Sequence, residues 1–150
     1  SMSFPRGWVS TVPDSQLVAM LAIGPKAVGT IEFQINVNVV VDSIPPGTTI
    51  DEFDAVANSK LQQVFPGYTL LRTDRTQLGK YPAVLRYTTW RPRDAELYQI
   101  QLGVIVGSRV YIVTGTTLAD STHIKEEALL LQQILITFRP PSPIYPPNGS

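Results

Sequence analysis

The sequence predicts an α+β domain in which two helices pack on a mostly antiparallel sheet. Three observations carry this. Alternating apolar segments recur with short connections between them, two stretches with apolar residues at helical spacing interrupt them, and no regular alternation of strand and helix builds a parallel dinucleotide-binding sheet. The chain has 150 residues, the size of one ordinary domain, and its 43% apolar residues suffice for a single core.

Trp8 to Val12 and Leu17 to Ile23 are short apolar segments that read as the first two strands. Thr30 to Val41 is the third and the most regular. Within IEFQINVNVVVD every odd position from Ile31 to Val41 is apolar, whereas Glu32, Gln34, Asn36 and Asn38 fill the even ones until Val40 breaks the series. After the turn at Pro45-Pro46-Gly47, the positions Ile50, Phe53, Val56, Ala57, Leu61, Val64 and Phe65 recur at helical spacing and form an apolar stripe. Thr49 and Glu52 have the spacing of a capping box, and Pro66-Gly67 ends the helix.

Four further strands fit Tyr68 to Thr76, Ala83 to Trp90, Glu96 to Val106 and Arg109 to Thr117, with Gly107-Ser108 as a tight hairpin between the last two. Asp120 or Ser121 can cap a second helix that runs to about Phe138 and buries Ile124, Ala128, Leu131, Ile134 and Leu135. The segment RPPSPIYPPNGS is too rich in proline for either a sheet or a helix. The expected organisation is therefore one domain over residues 1–139 and a flexible tail over 140–150.

Composition narrows the function classes. Twelve basic and twelve acidic residues cancel, so there is no overall field to attract nucleic acid or anionic lipid. Absence of cysteine removes disulfides, thiolate metal sites and a cysteine nucleophile. No apolar run approaches the ~20 residues of a membrane span, so no direct membrane insertion is expected. Ser1-Met2 reads as a cleavage remnant before a native start methionine, which would place the chain in the cytoplasm. A trimmed leader would look the same and would place it in the bacterial cell envelope.

No catalytic signature stands out, and neither a catalytic residue nor a cofactor or metal site is assigned. His123 is the only histidine and falls where a helix begins, which favours an exposed first-turn residue over a catalytic base. Asp51, Glu52 and Asp54 suit a helix N-terminus, where acids oppose the positive end of the dipole, better than a cation site. Gly79-Lys80 lacks the rest of a phosphate loop. Arg72, Arg75, Lys80, Arg86, Arg91 and Arg93, interleaved with Tyr81, Tyr87 and Trp90, could form an anion-binding surface, although wet strand ends and loops explain the charges more simply. The two P-x-x-P matches in the tail are cheap in so proline-rich a segment.

A second strand, ELYQIQLGVIV, repeats the amide pattern. Tyr98, Ile100, Leu102, Val104 and Val106 share one face, and Gln99 and Gln101 lie on the other. If the two strands lie near each other, Gln34, Asn36, Asn38, Gln99 and Gln101 make a polar strip able to satisfy the polar groups of a bound segment, or else an ordinary solvated sheet face.

FPRGW, FQINVNVVV, PPGTTIDEF, FPGYTLL, LGKYPAVLRYTTW, ELYQIQ and RVYIVTGTT occur in an order that resembles the DcrB, LpqN and DUF1795 group of the Mog1/PsbP-like superfamily, over nearly everything from Phe4 to Pro140. The resemblance implies an α/β/α sandwich around a bent antiparallel sheet of six or seven strands, and a non-enzymatic role. Its closest branch implies a secretion adaptor or chaperone whose concave sheet holds a hydrophobic peptide segment or partner protein. In that case Gln99 and Gln101 would line the binding strand, with Gln34, Asn36 and Asn38 beside them. The envelope branch implies an accessory factor in transport or envelope assembly.

Overall fold

The computed structural model describes residues 1–12 and 19–141. Seven strands and two helices follow in the order β1 (Val9–Thr11), β2 (Met20–Val28), β3 (Glu32–Ser43), α1 (Ile50–Val64), β4 (Thr69–Leu78), β5 (Tyr81–Trp90), β6 (Leu97–Val106), β7 (Arg109–Leu118) and α2 (Ile124–Ile136). They form one open sheet of order β1-β2-β3-β7-β6-β5-β4, antiparallel at every step. The β3-to-β4 connection, which contains α1, is the long one, because it carries the chain from the middle of the sheet to its far edge. This is the α+β architecture expected.

The two helices lie on opposite faces, as two glycines demonstrate. A Cβ at Gly115 would lie 3.0 Å from the Leu131 side chain of α2, and a Cβ at Gly103 would lie 2.6 Å from the Phe53 ring of α1. Gly115 stands opposite Ile100, whereas Gly103 stands opposite Ile112, so the two glycines project to different sides of the pleat. The odd positions of β3 face α2. Ile35, Val37 and Val39 are buried there beside Ile100, Leu102 and Val113, under Leu131 and Leu135. Each such side chain contributes about 1.5–3 kcal/mol by leaving water, which makes the α2 side the main core.

Several element ends differ from expectation. β2 continues past Ile23 to Val28 because Gly24-Pro25 is absorbed by a register shift between Ile23 and Lys26; the missing proline N–H falls at an irregularity. Gly24 is required there, since a Cβ would meet the Trp8 ring at 2.4 Å. β4 and β5 run on to a two-residue hairpin, with Leu78 opposite Tyr81 and Gly79 at φ +64°. Gly107 at φ +62° makes the expected hairpin between β6 and β7.

Thr49 caps α1, its hydroxyl accepting from the Glu52 N–H at 3.1 Å and donating to the Glu52 carboxylate at 3.1 Å. The start of α2 corrects the expectation. Its N-cap is His123, which is exposed and makes no side-chain capping bond. Asp120 instead holds the Thr30 backbone N–H, and Ser121 donates to Glu127 at 3.0 Å, while Thr117 donates to the same carboxylate at 2.8 Å. A carboxylate one turn into the helix thus ties α2 to β7. At the other end the Ser1 amino group donates to the Arg139 carbonyl at 2.7 Å, and the Arg139 N–H donates to the Ser1 carbonyl at 2.8 Å.

Candidate functional site

The face opposite α2 carries the polar residues singled out in the sequence. Asn36 stands opposite Thr116, Thr116 opposite Gln99, and Gln99 opposite Thr88. One step along the strands, Asn38, Thr114, Gln101, Arg86 and Thr73 form a second row. Four strands at about 4.8 Å spacing put some 15 Å between the ends of the first row. Gln34, Asn36, Asn38, Gln99 and Gln101 therefore share one face. β7 separates the β3 amides from the β6 glutamines, and threonines fill the gap.

These amides have different surroundings. The Gln34 side chain donates to the carbonyl of Gly24, satisfying the acceptor that the β2 irregularity sets free. Gln99 donates to the Thr116 hydroxyl at 3.0 Å. Gln101 accepts from a terminal guanidinium N–H of Arg86 at 2.8 Å. Asn36 donates to the Gln34 carbonyl at 3.1 Å. Asn36 and Asn38 are half-buried and stand among Leu21 and Ile23 of β2 and Val40 and Ile112 of the middle strands, of which Ile23 is 38% exposed.

Arg86 is the residue that composition and alternation misjudged. It is 3% exposed, and its guanidinium pairs with Asp54 of α1 as well as with Gln101. Arg75 pairs with Asp51 and reaches Asp54 at 3.9 Å, while Arg72 pairs with Asp74 at 2.6 Å and lies over the Tyr87 ring. Tyr87 is buried, and Trp90 stacks on Phe65 with ring centroids 4.0 Å apart. The basic segment is thus divided between the two faces, and three of its six residues, Arg72, Arg75 and Arg86, are paired with acids. The aromatic residues belong to the packing. Close by, the Tyr68 hydroxyl donates to Asn58 at 2.6 Å. Burial raises its pKa above the ordinary tyrosine value; the Arg86 charge opposes the rise and Asp54 adds to it.

α1 covers this face only in part. None of its residues is fully buried, and Val56 and Val64 of the expected stripe are 67% and 64% exposed. Phe53 rests on the flat spot at Gly103, and Asp54 grips Arg86. Between helix and sheet lies a cavity of about 290 Å³, lined by Phe53, Ala57 and Leu61 above and by Val84, Val110 and Ile112 below, with Arg86 and Gln101 in its wall. The Arg86 Nε–H is buried without a hydrogen-bond partner. Sequence reasoning missed this cavity. Its one legible signal was Gly103, the only residue without a side chain in an otherwise bulky strand.

His123 sits at the start of α2, on the opposite side of the sheet from Arg86 and Asp54, and among the described residues no three of His, Asp and Glu converge as a metal centre would need. No helix among the described residues is long and apolar enough to cross a membrane.

An open antiparallel sheet with one helix on each face and this strand order defines an α+β fold of the Mog1/PsbP-like type. The family model described as DcrB matches residues 27–135, and the chain belongs to the DcrB family. Among solved structures it is similar to PA94 of Pseudomonas aeruginosa, a protein of unknown function, with 17% identity and a TM-score of 0.72 over 93% of this chain and 90% of that one. It is also similar to LpqN of Mycobacterium tuberculosis, a protein involved in cell envelope biogenesis, with 13% identity and a TM-score of 0.68 over 87% and 78% of the two chains. The cyanobacterial PsbP of Synechocystis is 14% identical with a TM-score of 0.64 over 91% and 83%. Likeness at these identities is likeness of fold. A comparison with curated proteins finds no match.

Proposed function

We propose that this chain is a non-catalytic accessory protein that holds an apolar segment of a partner protein on the sheet face beside α1, in the manner of an adaptor or chaperone. The observation that carries this is the incompletely covered face. Leu21, Ile23 and Val40 lie there beside Asn36 and Asn38 on β2 and β3, outside the cavity beneath α1. Apolar side chains would receive apolar ones, and amides that both donate and accept can match whatever polar groups the segment brings. Gln99 and Gln101 extend the strip beneath α1, and Gln34 supports it through the β2 irregularity.

The cell envelope is the setting best supported for this role. Membership of the DcrB family and a fold shared with LpqN, which takes part in envelope biogenesis, both favour it over a cytoplasmic secretion adaptor.

Asn36 and Asn38 make a cleaner test than the glutamines, because Gln101 also holds Arg86. Asn36→Ala with Asn38→Ala, and separately Ile23→Asp, should weaken binding of a synthetic apolar helical peptide by about tenfold or more, with little change in melting temperature. Fluorescence titration of labelled peptide measures this. Unchanged affinity in both variants would reject the face as the binding surface. Co-purification from the native host would then identify the partner.

A further inference from the structure

We propose that the space between α1 and the sheet is a second binding site, one for an uncharged amphiphile that carries an alkyl chain and a hydrogen-bond-accepting head such as an ester carbonyl. Two independent observations meet there. A cavity of about 290 Å³ is lined by Phe53, Ala57 and Leu61 of α1 and by Val84 and Ile112 of the sheet. Arg86, 97% buried by the complement of its 3% exposure, stands in the same wall with its Nε–H lacking any acceptor.

A buried donor needs an acceptor, and a cavity lined mainly by carbon favours apolar contents over water. Together these specify an amphiphile. Charge then selects its type. The guanidinium already faces the Asp54 carboxylate, and Arg75 faces Asp51 and Asp54 in turn. Lys60 and Asp42, which also line the cavity, carry one charge of each sign. A neutral oxygen completes Arg86 without burying a second anion whose charge nothing remains to balance.

Size and access agree with this reading. At roughly 30 Å³ for a water-sized group, the cavity holds on the order of ten non-hydrogen atoms, a chain of about eight carbons with its head. α1 buries none of its own residues completely, so such a molecule enters along the exposed side of the helix with the Arg86–Asp54 pair left in place. The site adjoins the partner face and shares Gln101 and Ile112 with it, but Phe53, Ala57 and Leu61 belong to α1 alone, and Leu21, Ile23 and Val40 of the partner face lie outside the cavity.

Methyl octanoate is a suitable probe, titrated into the full chain and followed in proton–nitrogen correlation spectra through the Arg86 Nε–H signal and the α1 amides. Saturable binding is expected, with the Nε–H signal shifted and its exchange with water slowed. The octanoate anion should bind at least about tenfold more weakly, since its charge must be desolvated. Ala57→Phe fills the cavity from the helix side, and Ile112→Phe fills it from the sheet; whichever folds as the parent should lose ester binding. Of the two, Ala57→Phe leaves β2, β3 and β7 unaltered and should keep peptide binding, which separates this site from the partner face. The proposal is overturned by non-saturable binding, by equal or tighter binding of octanoate, by ester binding that survives the filled cavity, or by an Nε–H that contacts only a trapped water when ester is present.

Discussion

Arg86 lies in a strand whose neighbours Val84, Leu85 and Tyr87 are all buried, so its charge is retained in the interior only by the company it keeps. Asp54 and Gln101 supply that company from two different elements. Breaking a buried pair by removing one partner typically costs about 3–5 kcal/mol, so the pair fixes where α1 sits on the sheet. Asp120 is the opposite case, an exposed carboxylate held in its charged form. The Thr30 hydroxyl and backbone N–H both donate to it and lower its pKa below the usual 3.8. A carboxyl whose pKa is lower folded than unfolded contributes stability that is present above the unfolded value and lost as pH falls through the folded one. Asp120→Asn should therefore lower the melting temperature near neutral pH, and the gap from the parent should close below about pH 4. Melting curves across pH check this, and a gap independent of pH would refute it. At this scale the sequence was only partly legible. Alternation assigned Gln99, Gln101, Asn36 and Asn38 to faces correctly, but that Arg86 stands opposite Gln101 depends on the β5/β6 register, which no local pattern specifies.

The two helices differ in how they are held. α2 buries Leu131, Ile134 and Leu135 in the main core and is tied to β7 through Glu127, whereas α1 rests on Phe53, the ion pairs of Asp51 and Asp54, the Tyr68–Asn58 hydrogen bond and its cap. Local stability should follow this difference. Amide hydrogen exchange should be faster throughout α1 than in α2 or in β5, β6 and β7. Thr49→Ala removes the cap, worth about 1 kcal/mol, and should speed α1 exchange about fivefold while leaving the α2 amides unchanged. Equal protection of the two helices would show that α1 is more firmly seated than its burial implies. The limits of α1 were legible because their signals are local, Thr49 with Glu52 and the proline and glycine after Phe65; for α2 the stripe through Leu131 and Leu135 was legible, but its cap fell at His123 rather than at Asp120 or Ser121. How deeply α1 packs was not legible. Its stripe looks as apolar as that of α2, and only the distance between helix and sheet reveals that Val56 and Val64 stay outside.

At the scale of the molecule, strand count, helix count and antiparallel pairing all followed from pattern and connection length, because short links leave neighbouring strands few alternatives. The position of β1–β3 relative to β4–β7 did not. It is set by the pairing of β3 with β7, two strands far apart in sequence. Residues 140–150, read as a proline-rich tail, lie outside the described residues from 142 onward. We propose that the folded unit closes at residue 139, where Arg139 meets Ser1 and its side chain donates to the Ile136 and Phe138 carbonyls at 3.0 and 2.7 Å. A chain ending at residue 141 should melt at the temperature of the full chain, and a lower value in calorimetry would show that the tail packs on the domain. That meeting of Ser1 and Arg139 has a topological consequence as well. With Ser1 and Arg139 bridged by backbone hydrogen bonds, a folded unit cut after residue 139 and given a few linking residues would close into a ring. Reopening that ring at the exposed Pro46-Gly47 turn would place the new termini just before α1, giving a point of attachment beside the cavity without altering any residue that lines it.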